Sequence, residues 1–136
     1  MNKSFFLILL FLLCCFITLL ISVFVPDGKK VINITTIIIE NDSLCLGKLD
    51  YHSKQLASFK IKNTGNEPLV IHTVYTSCGC TVAKYDKQPI AIGDFATVIL
   101  EYKPNSLGYF SKTADVICNV PEGFVRLKIS GEVVEK

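Results

Sequence analysis

The stretch 55–76 reads QLASFKIKNTGNEPLVIHTVYT. Its first eight residues alternate between apolar and polar side chains, the apolar ones being Ala57, Phe59 and Ile61. This period of two is typical of a half-buried β-strand. The cluster 63–68 supplies Asn, Gly and Pro, which favour a turn. Because 69–76 is again rich in β-branched residues, the stretch predicts two strands joined by a turn.

The rest of the chain after residue 43 continues this pattern of strand and turn. Further strands are predicted at 95–102, 109–120 and 124–134, and no segment has a helical period over ten residues. Short strands at such spacing are typical of a β-sandwich or barrel. We therefore predict an all-β domain over 44–136, an immunoglobulin-like antiparallel β-sandwich of about seven strands.

The N-terminus has a different character. Residues Phe5 to Val25 include no charged side chain. As a helix, these 21 residues would extend roughly 31 Å, close to the thickness of a bilayer core. We therefore predict a transmembrane anchor helix in 1–25, followed by a stalk or linker in 26–43.

Two alternatives to an anchor involve cleavage. A secretory signal peptide has an apolar region of about 7–15 residues and a site with small residues, whereas this run is longer and Ser22 to Phe24 makes a poor site. A lipoprotein signal is suggested by Cys14 and Cys15, but ten more apolar residues follow them.

The charges that flank the apolar run do not set its orientation in the membrane. Lys3 on one side and Lys29 and Lys30 on the other nearly balance.

Several segments together resemble a known family. They are Phe59 to Ile71, Thr76 to Thr81 (TSCGCT), Pro89 to Asp94, Tyr102 to Pro104, Gly108 to Lys112 and Leu127 to Gly131. This series, over about 44–134, resembles the bacterial domain of unknown function 1573 family, although Ile92 stands where that family usually has Pro. The resemblance implies an exported sandwich domain with no established activity. It also implies an orientation: a single-pass inner-membrane protein whose C-terminal domain lies in the periplasm or otherwise outside the cytoplasm.

The segment Cys78-Gly79-Cys80 is the candidate chemical site. A disulfide across one intervening residue would be strained and therefore easily reduced, which suggests a redox role. Two thiolates on one turn could instead bind Cu or Zn, although the other candidate ligands are at no familiar spacing. These other candidates are His52, His72, Cys45 and Cys118.

A purely structural role for the cysteines is the third interpretation. Exported domains use cysteines as cross-links, and Cys45, Cys78, Cys80 and Cys118 allow three pairings, which the sequence leaves open. Cys118 is in phase with Val116 and Val120, so we expect it to face the core.

Composition and motifs limit the function classes. The net charge of +2 gives no reason to expect a nucleic-acid partner. The sequence has no Ser/His/Asp arrangement, no Gly-rich phosphate loop and no paired carboxylates, so we expect that the protein is not an enzyme. The one cofactor that the cysteines suggest is a Cu or Zn ion. We expect a binding role in the cell envelope, with a protein or peptide partner at loops or sheet edges, and the membrane as a second partner of the N-terminal helix. The alternative is a thiol-redox or Cu/Zn-handling protein that acts through Cys78 and Cys80.

Overall fold

The computed structural model describes residues 2–23 and 33–135, with side chains omitted for 19–23. The chain divides into two compact units, 1–31 and 32–136. In the first unit, helix α1 spans Lys3–Val23. Within the described residues, no helix combines the length and the apolarity that crossing a membrane requires. The first part of the predicted stalk, together with the end of the predicted anchor, falls in 24–32 and lies outside the described residues.

The second unit is an all-β sandwich of two four-stranded sheets, which confirms the predicted fold class. Its strands are β1 (Ile37–Ile39), β2 (Ser43–Asp50), β3 (Gln55–Asn63), β4 (Ile71–Thr76), β5 (Thr81–Tyr85), β6 (Phe95–Tyr102), β7 (Gly108–Cys118) and β8 (Phe124–Val134). Sheet A has the order β1-β3-β6-β5, and sheet B has the order β2-β8-β7-β4. The sandwich thus has eight strands where the sequence predicted about seven.

Two features of the N-terminal edge differ from the expectation. Strand β1 lies within the segment predicted as a stalk, yet it pairs with the end of β3, Ile37 opposite Asn63. Strand β2 runs parallel to β8, so sheet B is mixed and not purely antiparallel. Alternation along one strand reports which face is buried, but it carries no information on the direction of a neighbouring strand.

The core follows the alternation seen in the sequence. The inward residues of β3 are Ala57, Phe59 and Ile61, all almost fully buried. From the opposite sheet, the Phe110 ring stacks on Tyr102 with centroids 4.3 Å apart. Burial raises the pKa of the Tyr102 hydroxyl. This aromatic contact joins the two sheets at the end where β6 finishes and β7 begins.

A buried side-chain amide organises the other end of the sandwich. Asn63 has no solvent exposure. Its Nδ2 donates to the carbonyl oxygens of Glu67 (2.8 Å) and Ile90 (3.1 Å). Its Oδ1 accepts from the Thr35 hydroxyl (2.7 Å) and from the Gly65 N–H (3.3 Å). One residue therefore joins the chain before β1, the turn after β3 and the loop before β6.

Gly65 is required for this arrangement because of its size. A Cβ there would collide with Thr35 Oγ1 and would lie 2.5 Å from the backbone nitrogen of Thr36. Its φ is not positive, so the requirement is one of space and not of backbone conformation. The close approach allows the N–H groups of Thr64 (2.9 Å) and Gly65 (3.0 Å) to donate to the Thr36 carbonyl.

A second side-chain amide attaches the segment before β1, the arm 33–36, to sheet B. Asn119 follows β7 and is 7% exposed. Its Nδ2 donates to the carbonyls of Asn33 (2.7 Å) and Pro68 (2.9 Å), and its Oδ1 accepts from the Val70 N–H (2.7 Å). The arm 33–36 is thereby held against both sheets before β1 begins.

Replacing Asn63 tests the role of this amide. Asn63→Ala leaves two buried carbonyls, one hydroxyl and one N–H without their partner, so we expect the free energy of unfolding to fall by about 2–4 kcal/mol. Urea denaturation followed by circular dichroism measures the change. Asn66→Ala, three residues away and exposed, is the matched control and should cost less than about 0.5 kcal/mol. Equal effects of the two substitutions would contradict the assigned role.

Candidate functional site

The cysteine pair lies where the chain leaves sheet B for sheet A. Cys78 and Cys80 are in the turn between β4 and β5 and are joined by a disulfide bond, with their Cα atoms 5.3 Å apart. Both side chains are half-buried, and Cys80 packs against the core. Of the bonds in the three pairings that the sequence left open, the structure has only Cys78–Cys80, and the accompanying Cys45–Cys118 bond is absent.

Backbone hydrogen bonds hold this turn on both sides. The Ser77 N–H donates to the Thr113 carbonyl (2.9 Å), and Ser77 Oγ accepts from the Thr113 N–H (3.0 Å). The Cys80 carbonyl accepts from the Lys103 N–H (2.9 Å). The bridged turn is therefore attached to β7 and to the loop that follows β6.

Gly79, between the two cysteines, is required neither for its backbone conformation nor for lack of space. Its φ is not in the left-handed region, and a Cβ at this position would meet no atom within 4 Å. The turn itself brings the two sulfurs together, and no glycine-specific backbone conformation is involved. The partial exposure of the bridge leaves it accessible to an attacking thiolate at the surface.

The other two cysteines of the sandwich are unpaired. Cys45 is exposed on β2, whereas Cys118 is 3% exposed and faces the core. Burial raises the pKa of the Cys118 thiol to about 11. Its sulfur lies 3.6 Å from the Val116 carbonyl oxygen. Cys118 is thus a small apolar core residue, and Cys45 is an accessible thiol.

The structure does not bring together a metal site in the part of the chain that it describes. His52 lies in the turn after β2 and His72 on β4, and both are exposed. No three His, Cys, Asp or Glu side chains of the described residues converge in a way that could hold an ion. Since a disulfide has no thiolate to donate, binding of Cu or Zn at Cys78 and Cys80 would need the reduced pair.

A second candidate site is a strand edge that sequence reasoning did not locate. Strand β1 pairs with β3 only at residues 61–63. The Asn63 N–H donates toward β6, to Asp94, whereas the Thr64 N–H donates toward the β1 side, to Thr36. Because these directions alternate along a strand, the even-numbered residues of β3 direct their backbone groups to the β1 side.

Beyond the end of β1, this side of β3 is open. The N–H and C=O groups of Leu56, Ser58 and Lys60 have no strand partner among the described residues. We call residues 55–60 on this side the open β3 edge. A groove of about 330 Å³ runs beside it, lined by Glu40, Asn41, Leu44, Ser58, Phe59 and Lys60.

The opposite edges of the two sheets are closer together. Strands β4 and β5 lie at the same side of the sandwich, and the Tyr85 hydroxyl donates to the His72 carbonyl at 3.5 Å. Beyond β5, the Thr97 N–H donates to Asp86 Oδ2 at 2.9 Å. At the open β3 edge, the groove lies between β3 and Leu44 of β2.

Thiol labelling at pH 8 tests the assigned states of the cysteines. We expect iodoacetamide to modify Cys45 in the native protein and to leave Cys118 unmodified, because at this pH a buried thiol with a raised pKa stays protonated. Cys78 and Cys80 should react only after reduction. Peptide mass mapping reads each site, with urea-unfolded protein as the control in which Cys45 and Cys118 both react. Fast native labelling of Cys118 would contradict its placement in the core.

Three solved structures, two bacterial and one human, are similar in fold to this chain. A protein of unknown function from Porphyromonas gingivalis W83 is 22% identical, with a TM-score of 0.66 over 79% of this chain and 51% of its own. The PapD-like domain 7 of human CEP192 is 13% identical, with a TM-score of 0.63 over 76% of this chain and 88% of its own. The secreted serine protease VesC from Vibrio cholerae is 11% identical, with a TM-score of 0.57 over 73% of this chain and 23% of its own.

These likenesses concern the fold alone, since all three are below 25% identity. The chain spans about half the length of the Porphyromonas gingivalis protein and less than a quarter of VesC. No curated protein matches the sequence.

One protein family does match the sequence. The family model DUF1573, described as 'protein of unknown function', matches residues 37–133. This range includes all eight strands except the last residue of β8. The chain therefore belongs to the DUF1573 family.

Proposed function

We propose that this protein is an interaction domain of the cell envelope that binds an extended polypeptide segment along the open β3 edge. The observation that carries the proposal is the set of unpaired backbone groups at Leu56, Ser58 and Lys60. An extended segment that lies antiparallel to β3 would continue the line of β1 and add a strand to sheet A. The groove beside Leu44 would receive its inward side chains.

Strand addition suits this edge for a physical reason. Unpaired backbone groups on a sheet edge readily pair with another chain, and proteins usually cover or shorten such edges. Here β1 covers three residues of β3, and its chain then passes to sheet B through the turn 40–42. The six residues left open extend about 20 Å, enough for a peptide strand of similar length. Main-chain hydrogen bonds would give affinity, and alternate side chains would give selectivity.

The location in the envelope is part of the proposal. We infer that the apolar run Phe5–Val25 is an uncleaved anchor that holds the protein in the inner membrane, with the sandwich outside the cytoplasm. The sequence supports this, because the 21 residues from Phe5 to Val25 carry no charge and are as many as a spanning helix needs. The Cys78–Cys80 disulfide supports export, because such bonds persist in oxidising compartments.

The disulfide also favours a second candidate function, thiol–disulfide exchange at Cys78 and Cys80. A bridge across one intervening residue closes a very small ring, and this one lies half-exposed on a surface turn. Exposed bridges of this kind are the ones that thiols reduce most readily. Handling of Cu or Zn is the variant of this function in which the reduced pair supplies two thiolates.

Photo-crosslinking in the native host tests the interaction function. A photoreactive side chain at Leu56, beside the open edge, should yield adducts with a polypeptide partner. Ser58→Pro should remove these adducts, because proline blocks pairing from the edge, while sheet A keeps its own hydrogen bonds since the Ser58 N–H faces outward. The same photoreactive side chain at Lys128, exposed on β8 of the other sheet, is the control. Equal yields at both positions, or adducts that persist with Ser58→Pro, would contradict binding at this edge.

Fractionation tests the anchor separately. The mature full-length chain should keep its original N-terminus and stay in the membrane pellet after extraction with alkaline carbonate. A lysine in the middle of the run, Leu13→Lys, costs about 2.5–3.5 kcal/mol of insertion free energy and should shift protein toward the soluble fraction, whereas Leu13→Val should not. A new N-terminus after residue 20, with release of the domain, would overturn the anchor.

A further inference from the structure

The charges around the open β3 edge point to the chemistry of its partner. We propose that the edge accepts an acidic segment, with carboxylates on the solvent-facing side of the added strand and small apolar side chains toward the groove. This inference rests on the proposed function, since it specifies which segment binds.

Two lysines of β3 have no ion-pair partner among the described residues: Lys60 on the open β3 edge, and Lys62 beyond it, opposite Ile38 of β1. Lys62 Nζ lies 5.6 Å from the centroid of the Phe95 ring. The carboxylate on the same face, Glu101, is already engaged by Lys54 (2.8 Å) and Lys84 (3.5 Å). The hydrogen bond from Lys54 lowers the pKa of Glu101, followed by the coulombic effect of Lys54. The positive charge of Lys60 and Lys62 is therefore available to a ligand.

The strand geometry places an added residue of the partner near Lys60. The position directly opposite Lys60 is taken by Glu40, because Ile39 of β1 lies opposite Ile61. An added residue opposite Ser58 would form a hydrogen-bonded pair with it, and both side chains would point to solvent. This residue would be the diagonal neighbour of Lys60, about 7–8 Å away, which long side chains of opposite charge can span.

The inward side of an added strand meets different chemistry. Residues opposite Ala57 and Phe59 would point toward the groove, where Leu44 supplies an apolar wall. Glu40 lines the same groove, so an inward carboxylate would face a like charge. The groove of about 330 Å³ suits small apolar side chains at these positions. The preferred segment thus alternates acidic and apolar residues.

Charge also disfavours a second copy of this chain as the occupant. Because β1 and Glu40 cover β3 from Lys60 onward, two copies could pair only through the earlier residues of the edge. With Leu56 of one copy opposite Ser58 of the other, Lys54 of the first copy would approach Lys60 of the second. Like charges directly opposite each other destabilise a strand pair. The lysines therefore act against self-association and in favour of an acidic partner.

An anionic membrane could also attract these lysines, and the outer face of sheet A has exposed apolar residues such as Ile38, Leu56 and Phe95. Lipid, however, cannot satisfy the row of N–H and C=O groups at Leu56, Ser58 and Lys60 with the regular spacing that a strand offers. The open backbone groups favour a polypeptide over a lipid surface.

Peptide binding with hydrogen exchange tests the proposal. The probes are two capped eight-residue peptides, one alternating Glu and Val and the other alternating Lys and Val, added to the full chain in nanodiscs of zwitterionic lipid. We expect the acidic peptide to slow exchange at the amides of Leu56, Ser58 and Lys60 and to bind about tenfold more tightly than the basic one, with a smaller difference in 0.5 M salt. Exchange is read by mass spectrometry, and affinity by fluorescence anisotropy.

A charge reversal sharpens the test. Lys60→Glu should invert the preference, so that the basic peptide binds more tightly. The matched control is Lys128→Glu, an identical charge change on the outer face of sheet B, and it should leave both affinities unchanged. Both lysines are exposed, so we expect neither substitution to unfold the protein.

The possible failures have different meanings. If both peptides protect the edge equally, the acidic preference is wrong and the interaction function stands. If neither peptide protects it, the interaction function fails together with this inference. If the amides of the open β3 edge become protected at high protein concentration alone, or in nanodiscs that contain phosphatidylglycerol, while the peptides have no effect, the occupant is a second copy or a membrane and the proposal is overturned.

Discussion

The buried amide of Asn63 is the interaction on which the N-terminal edge of the sandwich depends. Its four hydrogen bonds gather the arm before β1, the turn after β3 and the loop before β6 at one end of the fold. Because the arm is held there, β1 begins opposite Asn63, and it ends opposite Ile61, where the chain turns through 40–42 toward sheet B. The start of β1 and this turn together leave the rest of the β3 edge open, which creates the candidate binding site.

The open edge is then shaped by charge and space. Lysines beside it oppose pairing between two copies, which is how edge strands are commonly protected from aggregation. The same lysines, without carboxylate partners of their own, would attract an acidic strand. The groove next to Leu44 and Glu40 adds a second selection for the side chains that point inward. Protection and recognition therefore use the same residues, since both depend on the sign of the charge.

The disulfide lies at a different crossing between the sheets. Cys78 and Cys80 close the turn in which the chain passes from β4 to β5, and this turn is attached to Thr113 and Lys103 by backbone hydrogen bonds. The bridge is one ground for the proposed location outside the cytoplasm, and it is the site of the alternative function that we propose, thiol exchange. The β1–β2 crossing, by contrast, lies beside a groove and the unpaired backbone groups of β3.

The sequence by itself determined five of the eight strands of the described sandwich, β3, β4, β6, β7 and β8, because an alternation such as that of Ala57, Phe59 and Ile61 is a local property of the chain that reports burial directly. It also identified Cys78 and Cys80 as the candidate chemical site, but not their pairing, since composition cannot choose among three connectivities. The tertiary structure decided the parallel entry of β2, the role of Asn63 and the position of the open β3 edge. These features depend on which distant segments meet, and an alternation of period two looks the same for a strand whose edge is paired and for one whose edge is free.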